Sequence, residues 1–142
     1  MAVFGILAIG GIALALVTPN LSKARISAEE MAAIHSVRAI CAAEVQYYTL
    51  YDRYAASLSE LGPPSDGKAG PSSADLLPAD LAAGVKGGYT YTLKVSPAGF
   101  MVNANPVKYG TTGRRTFFSD ESLVIRANSS PQPATAASAE LK

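Results

Sequence analysis

Few residues of this 142-residue chain could carry out acid–base or metal chemistry. His35 is the only histidine, and its place on a helix away from the apolar positions favours a solvated or subunit-contacting side chain over a general base. The acidic pairs Glu29–Glu30 and Asp120–Glu121 could bind a cation only if both carboxylates converged. Neighbours on a helix diverge by about 100°, and carboxylates in a turn are mostly solvated. We therefore predict no catalytic residue, no metal, no cofactor and no enzyme activity.

The other residue types with chemical potential also have plainer interpretations. Gly10–Gly11 and Gly87–Gly88 lack the lysine and the strand-to-helix context of a phosphate loop. Tyrosines 47, 48, 51 and 54 are at helical spacing. Tyrosines in this arrangement more often pack in a core and at an interface than stack on bases or transfer electrons. Cys41 is the only cysteine, so it cannot form an intrachain disulfide and is predicted to be a buried small hydrophobe. The net charge of +1 and the scattered cations predict no specific nucleic-acid binding.

The elements that carry these residues begin with an apolar segment over residues 1–25. Residues 1–22 carry no charge, and the chain then runs without proline or glycine from Leu21 to Leu61. A helix of roughly 50 residues is about 75 Å long, too long to be buried by its own small domain. Three interpretations of its apolar half stay open: a secretory signal peptide, a transmembrane helix of just sufficient length, and a helix buried in a protein assembly.

Pro19 interrupts this helix in the sequence. It removes a backbone donor and its ring clashes with the preceding turn, so a kink or a melted stretch is predicted there. After it, residues 26–61 form an amphipathic helix whose apolar positions recur every three or four residues. The residues predicted to melt are Ala15, Thr18, Pro19 and Asn20, and those predicted to form the core of the head are Ile34, Val37, Cys41, Val45, Tyr48 and Tyr51.

The second half of the chain predicts a small antiparallel sheet. Residues 62–88 are rich in Gly, Pro and Ser and indicate a loop with a short helical turn near 74–77 or 80–83. Residues 89–127 predict two hairpins, and residues 128–142 predict a flexible tail with nothing to bury. The predicted fold class is therefore α+β: a long N-terminal helix, kinked or melted near Pro19, packed on a sheet of about four strands.

This order of parts resembles the type IV pilin and type II secretion pseudopilin superfamily. The segment 15–25 resembles the pilin stretch in which a proline and a small polar residue precede a basic turn. Residues 43–62 resemble the end of the pilin helix, and residues 113–126 resemble the last hairpin. The family also has a glutamate at the fifth mature position, where this chain has Gly5, or Ala2 if Pro19 anchors the alignment.

The resemblance implies a structural subunit that polymerises through its N-terminal helix into an extracellular type IV pilus-like filament at the bacterial surface. The implied partners are further copies of the chain, the pilus assembly machinery and, before assembly, the inner membrane. It also implies an N-methylated N-terminus at Met1. A membrane-anchored periplasmic or surface binding module and a pseudopilin of a type II secretion system are the alternatives. The residues predicted to pack in the filament core are Phe4, Ile6, Leu7, Ile9, Gly10, Gly11, Ile12, Leu14, Leu16 and Val17.

Overall fold

In the computed structural model, the backbone is described from Ala2 and the side chains from Leu21. Helix α1 spans Ala2–Tyr51. The side chains predicted for the filament core and the N-terminus at Met1 lie outside the residues described in this way. The backbone is helical at residues 15–20, where a melted stretch was predicted. The head comprises the second half of α1 and everything that follows it.

Helix α1 ends at Tyr51, and one more helical turn follows within the segment 26–61. Asp52 adopts a left-handed conformation with φ of 57°, and its N–H donates to the carbonyl of Tyr48 at 2.8 Å. Aspartate tolerates this conformation better than most residues, so it can reverse the chain where no glycine is available. The predicted amphipathic helix over 26–61 is therefore two elements, α1 and a separate turn, α2, at Leu58–Leu61.

The sheet is an antiparallel meander in which strands follow one another in chain order. It has six strands, so the prediction of about four was wrong. The loop region 62–88 contributes the first strand, and the segment predicted as a tail contributes the last. The elements after α2 are α3 (Ala79–Ala82), β1 (Val85–Lys86), β2 (Tyr89–Ser96), β3 (Gly99–Pro106), β4 (Thr116–Asp120), β5 (Arg126–Asn128) and β6 (Ala139–Glu140).

The C-terminal segment is packed on the sheet, in contrast to the predicted flexible tail over 128–142. Strand β6 pairs with β5. Ala134 is buried, and its carbonyl accepts from the Asn103 amide at 2.9 Å. The Thr116 hydroxyl donates to the Gln132 carbonyl at 2.8 Å. The segment is held by hydrogen bonds to its backbone, by the buried Ala134 and by the partly buried Leu141, and two apolar contacts do not produce a periodicity in the sequence.

The core lies between α1 and strands β2, β3 and β4. Ile34, Val37 and Cys41 lie in it, and Tyr51 is partly buried against it. Val45 and Tyr48 are 43% and 46% exposed, so these two positions were assigned to the wrong face. Their places on the inner face are taken by Glu44 and Tyr47, because the Glu44 carboxylate and the Tyr47 hydroxyl find backbone partners at Ala55 and Pro71.

Burial of Cys41 gives a testable prediction about its reactivity. The residue is 4% exposed, and burial raises the pKa of its thiol to about 11. Thiol reagents attack the thiolate, which is scarce at neutral pH under these conditions. We expect an aromatic disulfide reagent to label Cys41 only after denaturation. The variant Ala42→Cys places a thiol at the adjacent exposed position and should add one fast-reacting group. Fast labelling of the folded wild-type protein would contradict the packing of Cys41 on the sheet.

Candidate assembly interface

One face of α1 has no partner within the head. We call the following exposed residues the outward face: Leu21, Ala24, Ala28, Met31, Ala32, His35, Ala39, Ala42, Val45, Gln46 and Leu50. They recur at intervals of three and four, as expected for one side of a helix. Leu21, Met31, Val45 and Leu50 are between 43% and 57% exposed. The remaining positions are mostly alanines, which would let another helix approach closely.

The outward face is also depleted in charge. A surface helix of a monomeric domain ordinarily carries charged and polar residues on the side away from the core. Between Leu21 and Leu50 every glutamate lies on or beside the inner face, and no carboxylate residue of this stretch is exposed. Arg38 is an exposed cation on this side of the helix in the middle of the head, because it lies seven residues from both Met31 and Val45. A strip with this composition is typical of a protein–protein contact.

The rotation of α1 that produces this face is fixed near Glu30. Its carboxylate Oε2 accepts from the Arg115 Nε at 2.9 Å, and Oε1 accepts from the backbone N–H of Arg114 at 2.9 Å. Glu30 is nearly buried, with 8% of its surface exposed. Because charge-assisted hydrogen bonds at low exposure are strong, this pair anchors the helix to the start of β4.

A second anchor lies about 21 Å further along the helix, the length of fourteen helical residues. Glu44 is fully buried, and its Oε1 accepts from the backbone N–H of Ala55 at 2.8 Å, while Oε2 has no hydrogen-bond partner among the described residues. Burial raises the pKa of this carboxyl to about 7, against the lowering effect of the Ala55 N–H. Glu44 therefore ties the chain that follows α1 back onto the helix.

Sequence reasoning missed both anchors. Glu30 was considered only together with Glu29, as a pair whose carboxylates diverge too far to bind a cation, and Glu44 was assigned no role. A signal for them does exist, because Glu30, Val37 and Glu44 are spaced by seven residues and so share one helix face. Val37 is fully buried, and an apolar residue midway between two glutamates of one face indicates that all three point inward.

The residues singled out for possible chemistry do not come together. His35 is exposed on the outward face, and Asp120 accepts from the backbone N–H of Ser122 within its own turn. Tyr47 is buried, whereas Tyr48, Tyr54 and Phe100 form a chain of ring contacts at 4.8 and 5.0 Å. Across the residues whose side chains are described, no group of three or more His, Cys, Asp or Glu is arranged to hold a metal ion.

Comparison with known proteins adds no further identification. No family model matches the chain, and neither the curated proteins nor the solved structures contain a significant match. From Leu21 onward, none of the helices combines the length and the apolar character that crossing a membrane requires.

Proposed function

We propose that this protein is the structural subunit of an extracellular type IV pilus-like filament. Residues 1–25 of many copies would pack in the centre of the filament, and the outward face would contact the helices of neighbouring copies. The six-stranded sheet would be displayed on the outside. Before assembly, the apolar segment would hold the subunit in the inner membrane.

The observation that carries this proposal is the exposed outward face of α1, which has no acidic residue and in which Arg38 is the charged side chain in the middle of the head. A simple membrane anchor would need only the apolar segment and would gain nothing from an apolar strip that continues along the head. A helical polymer needs such a strip, because a heterologous contact that repeats without closing produces a fibre. Fully burying a Leu, Val or Met side chain is worth about 1.5 to 3 kcal/mol, so even partial burial of this face supports each contact by several kcal/mol.

The uncharged start of the sequence supports the same proposal. Residues 1–22 carry no charge, and glycines at 5, 10 and 11 would permit close approach between helices in an assembly. Lys23 and Arg25 follow directly, at the start of the head. The change from uncharged to charged sequence therefore coincides with the transition from the proposed filament centre to the displayed domain.

A matched pair of alanine substitutions tests the proposal. Ala39 lies in the middle of the outward face, and Ala137 is an exposed alanine of the C-terminal segment. Ala39→Asp would bury an unpaired carboxylate in the proposed contact, which is costly. We expect material sheared from cells to contain filaments for the wild type and for Ala137→Asp, and few or none for Ala39→Asp. Electron microscopy counts them, and thermal unfolding checks that both variants fold.

The outcomes separate the two classes of function. Filaments in the wild type that disappear with Ala39→Asp support the proposed subunit. Absence of wild-type filaments, with the folded protein remaining in the membrane fraction, would support a membrane-anchored binding module instead. Wild-type filaments that tolerate Ala39→Asp would contradict the outward face as the contact.

A further inference from the structure

The charges of the head are separated between its two ends along α1. One end, which we call the basic end, carries the exposed cations Lys23, Arg25, Lys108 and Arg114. The other, which we call the acidic end, carries Asp52, Asp120 and Glu121. Arg25 and Asp52 are 27 positions apart on or directly after one helix, which corresponds to about 40 Å.

Tertiary contacts bring the members of the basic end together. A groove between α1 and the loop after β3 is lined by Ser22, Arg25 and Ile26 on one side and by Thr111 and Thr112 on the other. The N–H of Lys108 donates to the Thr112 hydroxyl at 3.1 Å, which places Lys108 beside this groove. The N–H of Arg114 donates to Glu30 on the helix. Two anions lie here: Glu29 pairs with Arg25 at 3.4 Å, and Glu30 pairs with Arg115 at 2.9 Å.

The acidic end is assembled around the tip of the hairpin between β2 and β3. Asp52 and Tyr54 line a groove with Val95 and Ser96, and Asp120 and Glu121 line another groove beside the same two hairpin residues. Two cations lie nearby. Arg53 pairs with Glu60 at 3.2 Å, so its charge is compensated, and Lys94 is the remaining exposed one.

This separation does not serve the stability of the isolated head. A helix C-terminus carries partial negative charge and favours cations in the last turn. The last turn of α1 contains no basic residue, and Asp52 follows it directly. The partial negative charge of the helix C-terminus therefore adds to the negative potential of the acidic end, and no cation in the last turn of α1 offsets it.

We propose that the acidic end of one copy docks on the basic end of the next copy along the filament. This inference rests on the proposed function and names the contact that sets the axial order of subunits. Complementary charges at an interface steer the encounter and fix its register, while like charges brought together are strongly unfavourable. The occupant of each end is thus the opposite end of a second copy of this chain.

Two charge-altered variants test the contact. Lys108→Glu with Arg114→Glu makes both ends acidic, and Asp52→Asn with Glu121→Lys leaves both ends without net negative charge. Asparagine is chosen at position 52 because it tolerates the left-handed conformation there. We expect each variant alone to yield roughly tenfold fewer sheared filaments than the wild type. Coexpression of the two in one cell should restore the yield, because each then meets a complementary end.

The control is Lys68→Glu with Ser65→Glu and Ser72→Glu, which lowers the net charge by four, as the first variant does, at exposed positions of the loop between α2 and α3. It should assemble as the wild type does. If either end-altered variant fails to fold by near-ultraviolet circular dichroism, the neutral pairs Lys108→Gln with Arg114→Gln and Asp52→Asn with Glu121→Gln replace them, with a smaller loss expected. Unchanged yield from the folded single variants, or no rescue on coexpression, would overturn the contact. Absence of filaments from the wild type would instead overturn the proposed function.

Discussion

Glu30→Ala should destabilise the head by about 2 to 4 kcal/mol. The substitution leaves the Arg115 guanidinium without its carboxylate and the Arg114 N–H without its acceptor, in a region where Glu30 is nearly buried. Removing one partner of such a pair costs more than the pair itself contributes, because the remaining group stays desolvated. The free energy of unfolding is measured by titrating the purified chain in detergent with guanidinium chloride. The near-ultraviolet circular dichroism of the tyrosines reports the fraction unfolded.

Glu29→Ala is the matched control for this substitution. Glu29 is adjacent in sequence and also pairs with an arginine, but its partner Arg25 is 82% exposed. Exposed pairs of this kind contribute about 0 to 1 kcal/mol. The two neighbouring glutamates should therefore differ in effect by at least about 1 kcal/mol. Equal effects would show that the contact between Glu30 and Arg115 does not fix α1 on the sheet.

The order of elements could be predicted because it depends on local patterns. Alternation of aromatic and β-branched residues marks β2, and the turn at 96–99 fixes its pairing with β3. Strand β1 was missed although it has a local signal. Gly87 and Gly88 both have positive φ, as a type I′ hairpin turn requires, and they join β1 to β2.

The C-terminal segment could not be predicted in the same way. Its residues are Ser, Pro, Ala, Thr and Gln, a composition typical of mobile chain. The contacts that hold it come from side chains of other elements, Asn103 and Thr116, which donate to its backbone carbonyls. Backbone carbonyls are the same in every sequence, so composition carries no record of this packing.

The candidate interface was predicted only in outline. The long helix and its uncharged start are evident in the sequence, whereas the side of the helix that remains exposed depends on its rotation. Placing Glu44 and Tyr47 on the inner face moves Val45 and Tyr48 outward, because adjacent positions differ by about 100°. A glutamate is rarely buried without a partner. The partner of Glu44 is the backbone N–H of Ala55, a group that every residue except proline carries, so the sequence gives no sign of this contact.

Glu44 also makes the stability of the head depend on pH. Its pKa in the folded protein is about 7, above the ordinary value of 4.5, because burial disfavours the charged form. The nearby charges oppose one another: Glu60 raises the pKa and Arg53 lowers it. Below pH 4.5 the carboxyl is protonated in the folded and unfolded states alike. Between pH 4.5 and 7 the unfolded state releases this proton first, so the free energy of unfolding falls as pH rises through this window.

Glu44→Gln should remove that dependence and stabilise the head above pH 7. Glutamine retains an oxygen that can accept from the Ala55 N–H, and it stays neutral at every pH, so no charge has to be buried. We expect the variant and the wild type to be about equally stable at pH 4.5, and the variant to be more stable by about 1 to 3 kcal/mol at pH 8. Unfolding in detergent at the two pH values measures the difference.

Glu140→Gln, at an exposed carboxyl that pairs with Arg126 at 3.5 Å, should lack this gain. A variant that loses stability at pH 8 would instead mean that the charged carboxylate is stabilised in the folded head, with Arg53 compensating it more strongly than burial opposes it.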